Sequence, residues 1–329
     1  MVTQKHPGGT PPDLYKRIRE LEPDANRQIV NQHVVSKVVL KGFAAPGHKG
    51  QGWQLTPFDL RLGREQRARG LSGCGKILNF LTFASESAER VWKSVEDRLD
   101  SAIKAARAGN LHSNNAQVEA IKDGIALHLV RSPRYLELHQ AIVSKTMEDV
   151  RRETLQSRMP MLRNEFRRRY GLEPAGREAL EVVLDEPLEN WRTLAESGAI
   201  ARVSMESMYH RIRAILQPFA VEVWHIPSGL ELLISESPAF TIKYLDQGQH
   251  MQLHVAVGDA NCVAMPMARN CLLALGATPK VDELLPNQVR LFNHLQVAVA
   301  YDHVYYRPGS SLKTFVEGEM STRGQGAAL

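Results

Sequence analysis

His33 and Lys37 lie four residues apart; on a helix they would share a face, where the ammonium lowers the imidazole pKa and favours a neutral base. The β-branched run around them leaves helix and strand both open, and a capping or packing histidine is the plainer alternative. Arg131 follows an apolar helical stretch and precedes Pro133, which puts a guanidinium at a helix break, in reach of a carboxylate or phosphate by two-point contact. A structural salt bridge, to Glu236 or to an acid within 86–100, is its expected use. Ser235 and Glu236 stand before Pro238 at the end of an expected strand, a common place for site residues. Alternation turns the two to opposite faces, so they do not act as a direct couple. Together these residue types suit acid–base chemistry on an anion, with His33 exchanging a proton and Arg131 holding the negative charge.

Other motifs are weaker. Neither GxSxG nor HExxH occurs, and His250 with His254 fall in an expected strand, about 13 Å apart. No metal site and no cofactor-binding residue is expected. Gly70–Lys76 matches the start of a phosphate-binding loop and Val182–Glu186 an acidic strand, but Ile77 replaces the magnesium-binding hydroxyl and a charged stretch precedes the glycines. An ordinary glycine loop is the expectation. Arg151, Arg152, Arg158, Arg163, Arg167, Arg168 and Arg169 make the densest basic stretch. Such runs are usually solvated; if a nucleic acid binds, Arg163, Arg167, Arg168 and Arg169 are where its phosphates would lie.

The elements that must position these groups are legible from periodicity. Apolar residues from Ala88 to Ala106 recur at helical steps, with Ser85 as N-cap and Gly109 beyond the C-terminus. Asn114 or Asn115 starts a second helix that Ser132-Pro133 interrupts, and a third runs from Pro133, bent near Pro160, to Gly171. Two shorter helices follow at Leu188–Leu194 and Met205–Ile215. Beyond Pro218 come short β-rich runs at 219–226, 230–235, 239–244, 251–257, 262–265 and 271–275. Helical spacing returns from Leu291 to Tyr306. The predicted class is α+β: a helical part over 13–171 packed on a mainly antiparallel sheet with a closing helix over 172–316, as one continuous fold, between unstructured segments 1–12 and 317–329.

The chain has 329 residues, 43% hydrophobic and 23% charged, an ordinary globular profile that excludes collagen, coiled coil and wholly disordered classes. No apolar run reaches the roughly 20 residues of a membrane span, and 1–12 lacks the apolar core of a secretion signal. A cytoplasmic protein is the expectation. Three cysteines without a CxxC pair suit free thiols. Residues 1–170 carry 29 Lys and Arg against 18 Asp and Glu, whereas 171–329 carry 12 against 18. A basic half attracts phosphates, or docks on its own acidic half.

The segment Asn31–Phe43 resembles the HYVPQxYLRxF opening of a large bacterial family of domains of unknown function. Further landmarks keep that family's order: the Glu-rich stretch Glu86–Arg107, Ala126–Pro133 beside its RtP helix, Leu233–Pro238 beside its SDxP strand, Met265–Ala268 and Asn287–Tyr306. Two departures are a missing Pro-Gln pair after the opening His, with Val35 and Ser36 in that stretch, and Glu236 in place of the strand's Asp. The resemblance implies a bacterial cytoplasmic protein with one composite site, and carries no reaction to transfer. The expected function is a hydrolase or nuclease-like enzyme acting on a phosphate-containing small molecule or nucleic acid through His33, Lys37, Arg131 and Glu236. The alternative is a non-catalytic nucleic-acid- or protein-binding module, in stress or defence, with the same residues as a buried network.

Overall fold

The computed structural model describes residues 11–50, 52–245 and 250–326. Helices fill most of the N-terminal two thirds: α1 (Pro11–Leu21), α2 (Lys37–Lys41), α3 (Ser85–Arg107), α4 (Asn115–Val130), α5 (Pro133–Ser157), α6 (Met159–Tyr170), α7 (Arg177–Glu196) and α8 (Ala199–Leu216). Short strands interrupt them early: β1 (Asn31–His33), β2 (Ala45–Pro46), β3 (Trp53–Asp59), β4 (Arg64–Glu65), β5 (Arg69–Gly70) and β6 (Lys76–Leu78). The remainder is mainly sheet: β7 (Ala220–His225), β8 (Ile234–Ser235), β9 (Phe240–Leu245), β10 (His250–Leu253), β11 (Cys262–Ala268), β12 (Cys271–Gly276), β13 (Lys280–Glu283) and β14 (His303–Tyr306), with α9 (Pro286–Val299) and α10 (Leu312–Gly326). The class is α+β. Contacts divide the described residues into a helical unit, 11–28, 81–86 and 136–204, and a mixed unit, 29–80, 87–135 and 205–326. Residue 171, where the sequence suggested a boundary, lies within the helical unit.

In the helical unit Leu180, Val183, Leu184 and Leu188 of α7 recur at three- and four-residue steps and pack with Leu155 and Leu162. Val182–Glu186, likened above to an acidic strand, is therefore a turn of helix α7, with Val183 and Leu184 buried and Val182 turned outward. The helix expected to bend near Pro160 is two helices: Arg158 leaves α-helical geometry, and Pro160 occupies the first turn of α6, where its missing N–H is harmless. Gly171, at φ 67°, ends α6 in the left-handed conformation.

In the mixed unit one six-stranded sheet has the order β10-β9-β11-β12-β7-β13, antiparallel except for β13 on β7. Every residue of the central strands β11 and β12 is buried. Such strands read as continuous apolar runs because both faces are covered. A second sheet, β2-β3-β14-β8, with β4 and β5 also on β3, joins residues from both ends of the chain. Tyr306, expected in the closing helix, is instead the last residue of β14: α9 stops at Val299, and the chain turns to pair with β3. The tail expected without structure is helical to Gly326, with Val316 buried against Phe58 and Leu233. Residues 1–10 and 327–329 of the two expected unstructured segments lie outside the described residues. No described helix is long and apolar enough to cross a membrane.

Candidate functional site

On α3, Glu89, Trp92 and Glu96 stand at i, i+3 and i+7, one stripe beside the buried apolar positions Ala88, Val95 and Leu99. On α4, Gly124, His128 and Arg131 make the facing stripe at steps of four and three. A Cβ at Gly124 would stand 2.5 Å from Leu99 Cδ2. Glycine costs about 1 kcal/mol inside a helix, and here it admits α3 close enough for the two polar stripes to meet. Pro133 disfavours helix at the residue before it, so α4 ends at Val130 and Arg131 becomes its C-cap.

The Arg131 guanidinium, 1% exposed, lies with Cζ 4.3 Å from the Trp92 ring centroid. Its Nη1 donates to Glu96 Oε1 at 2.6 Å, and its Nη2 to Glu89 at 3.3–3.4 Å. The ion pair expected to an acid of this helix is present. Arg131 is thereby committed to two carboxylates and a ring face, and is not a grip for a substrate anion. Glu96 Oε1 also accepts from Ser36 Oγ at 2.7 Å, and the Ser36 N–H donates to His128 Nε2 at 3.2 Å. An amide can only donate, so Nε2 is an acceptor and the proton sits on Nδ1, which donates to the Gly124 carbonyl at 2.7 Å.

His33 closes β1, opposite Lys76 of β6, and Lys37 opens α2. They are not one turn apart on a helix, because Ser36 breaks between strand and helix. The electrostatic coupling nevertheless exists. Burial first, and then Lys37, Lys76 and Arg131 against Glu96, together lower the His33 pKa to about 4. His33 Nε2 is buried and has no hydrogen-bond partner among the described residues. Burial likewise keeps His128 neutral, at about 4. The two carboxylates move apart. Burial pushes Glu89 up against the pull of Arg131, whereas for Glu96 burial is outweighed by Arg131 and Ser36, and its pKa falls.

Glu236 lies in a second cluster. Its Oε2 accepts the N–H groups of Asp302 and His303 at 2.7 and 2.9 Å, and its Oε1 accepts His303 Nδ1 at 2.9 Å and the Tyr305 hydroxyl at 3.3 Å. It forms no pair with Arg131. His303 faces Asp59 across β14 and β3, with Nε2 3.8 Å from Oδ2. Asp59 also accepts from the Arg61 and Leu62 amides and Gln66 Nε2. Burial, which raises its pKa, is outweighed by these donors and by His303, so Asp59 is lowered. The Tyr305 hydroxyl is hydrogen-bonded to the Gly75 backbone, whose carbonyl accepts the Val34 amide at 2.8 Å. Gly75 has φ 61°, and a Cβ there would press on Val35 and Leu40 at 3.1 Å. That peptide ties the Glu236 cluster to the strand pair carrying His33 and Lys76.

Ser235 is buried, with Oγ donating to Gln296 at 2.9 Å, and belongs to neither cluster. The basic helices are largely neutralised. Arg167 pairs with Glu173, Arg168 with Glu165, Arg169 with Glu165 and Glu186, and Arg151 with Glu181 and Asp185. Of the four arginines assigned to phosphate contact, Arg163 alone lacks an ion pair among the described residues. Gly70–Lys76 leads into β6 instead of a helix N-terminus, which removes the phosphate-loop geometry. Among the described residues no three His, Cys, Asp or Glu are arranged to hold a metal ion. Cys74, Cys262 and Cys271 are free and buried.

Sequence reasoning missed Glu89, Glu96, His128, Asp59 and His303. The Glu89-Trp92-Glu96 spacing was the available signal for the first two; Asp59 and His303 meet only through pairing across some 240 residues of chain. The result is a buried composite polar site of His, Asp, Glu and Arg. No curated protein and no solved structure matches the chain. The family model described as "Protein of unknown function (DUF4238)" matches residues 31–310, including every member of both clusters, and the chain belongs to that family.

Proposed function

We propose that the Arg131 cluster is an acid–base site that hydrolyses a phosphate-containing substrate. The observation that carries this reading is the pair Glu89 and Glu96, which share one buried guanidinium while their pKa values move in opposite directions. Carboxylates separated in this way divide into a proton donor and a fixed charge. Glu89, roughly a quarter exposed, is the donor, and Glu96 holds Arg131 and Ser36. Neutral His33 is the base, and Lys37 and Lys76 offset the substrate's charge. In the reaction, water attacks phosphorus as His33 takes its proton. The bond to the leaving oxygen breaks, and that oxygen receives the Glu89 proton.

Release of nitrophenol from bis(4-nitrophenyl) phosphate, and cleavage of a mixed RNA, test this. Glu89→Gln and His33→Ala should each lower kcat by about a hundredfold or more, with the unfolding midpoint moved by only a few degrees. The parent's profile should peak on the acid side, falling below about pH 4 as His33 protonates and falling at higher pH as Glu89 loses its proton. Parent-like turnover in both variants, or no turnover by the parent on either substrate, defeats the reading. The second result favours the non-catalytic module, in which the cluster locks α3 to α4.

A further inference from the structure

The chain's available positive charge is not where its arginines are densest. On α5 and α6 Arg151, Arg152, Arg167, Arg168 and Arg169 are answered by acids, and Arg163 is not, among the described residues. Residues 31–84, by contrast, contain eight Lys and Arg and only two acids, Asp59 and Glu65. Both acids are engaged: Asp59 by Arg61, Leu62 and Gln66, Glu65 by the Tyr306 hydroxyl. Several of the cations fall in a row. Lys76 stands opposite His33 across β6 and β1; Lys37 acts on the same imidazole; Lys41 is one turn further along α2. Lys41 Nζ then lies 5.7 Å from the ring centroid of Trp53, an indole 42% exposed. Among the described residues Lys37, Lys41 and Lys76 form no salt bridge.

We infer that Lys76, Lys37, Lys41 and Trp53 form a track for single-stranded nucleic acid that leads a phosphodiester to His33 and Glu89. The inference rests on the acid–base reading above and names its substrate class. Successive cations without salt bridges hold small counterions that a phosphate backbone releases on binding. An exposed indole beside a lysine is a stacking platform for any base, and stacking is sequence-tolerant. A duplex offers that ring no free base face. An acidic polypeptide matches the lysines and leaves the indole without a use.

Fluorescence anisotropy of the full chain with labelled oligo(U) and oligo(dT) of about 20 nucleotides, at about 50 mM salt, reads this directly. Lys41→Glu and Trp53→Ala should each raise Kd about tenfold, and added salt should weaken parent binding steeply. Arg167→Ala/Arg168→Ala should bind like the parent. Absence of binding, parent-like binding by both track variants, loss of binding in the Arg167→Ala/Arg168→Ala variant, or equal competition by polyglutamate overturns the track. The two readings fail separately. Binding with no cleavage of either the bound strand or bis(4-nitrophenyl) phosphate defeats the acid–base reading and leaves the track; hydrolysis of bis(4-nitrophenyl) phosphate without oligonucleotide binding does the reverse.

Discussion

Glu236 and Glu89 are both carboxylates in polar clusters of the mixed unit, and their surroundings treat them in opposite ways. Glu236, 2% exposed, has two backbone amides, an imidazole N–H and a phenol directed at its oxygens. Glu89 shares a guanidinium with Glu96 through contacts of 3.3 Å and longer, and its pKa is raised. A carboxylate that accepts from four donors anchors the segments that carry them. One that burial penalises and only a shared cation relieves is poised to exchange a proton. The family motif containing Glu236 therefore reads as a clamp on β14 and His303, and the Glu89-Trp92-Glu96 stripe is where the proposed acid–base chemistry would lie.

The largest test of that contrast is Glu236→Ala. It leaves four donors, one buried and three partly buried, without their acceptor and should cost about 3 kcal/mol in urea unfolding at neutral pH. A loss under about 1 kcal/mol would remove the clamp role, since even a single orphaned buried donor costs that much. Next is Arg131→Ala, which strands Glu96 and Glu89 together and should cost about 3 kcal/mol. In a double-mutant cycle with Glu96→Gln, a coupling of about 1–2 kcal/mol is expected; additivity would mean that the short contact contributes no net stability.

The smallest expected effect is on pH dependence, and it sharpens the contrast. His33 and His128 titrate near 4 in the folded chain, below the ordinary imidazole value. The unfolded chain therefore binds more protons between about pH 6.5 and pH 4, and stability falls as pH drops through that window. Glu96, lowered on folding, loses its contribution in the same direction as pH falls through its folded pKa, whereas Glu89, raised, opposes it. Thermal unfolding midpoints should decline from pH 6.5 to pH 4, with a shallower decline in His128→Gln. A level or rising midpoint in the parent would show that these imidazoles are not buried neutral.

Local signals carried far along this chain. Asn114 caps α4 with its side chain on the Ala116 amide, and Pro133 and Gly171 bound their helices at the expected places, because caps and breakers act within one turn. The α3 stripe was in plain view, yet its polar members were passed over in favour of its apolar ones. Charge counting gave the density of arginines on α5 and α6 but not their partners, the acids of α7 and of the run itself, which only the structure brings into range. What the amino-acid order determined alone was the class, the helices α3 and α4 with their boundaries, and an acid of α3 as one of the partners expected for Arg131. Tertiary structure decided the rest. Glu236 meets His303, Asp59 meets His303, and Gly75 joins β1 to Tyr305 through pairings between distant segments, and such pairings are set by the packing of whole sheets, which no local spacing encodes.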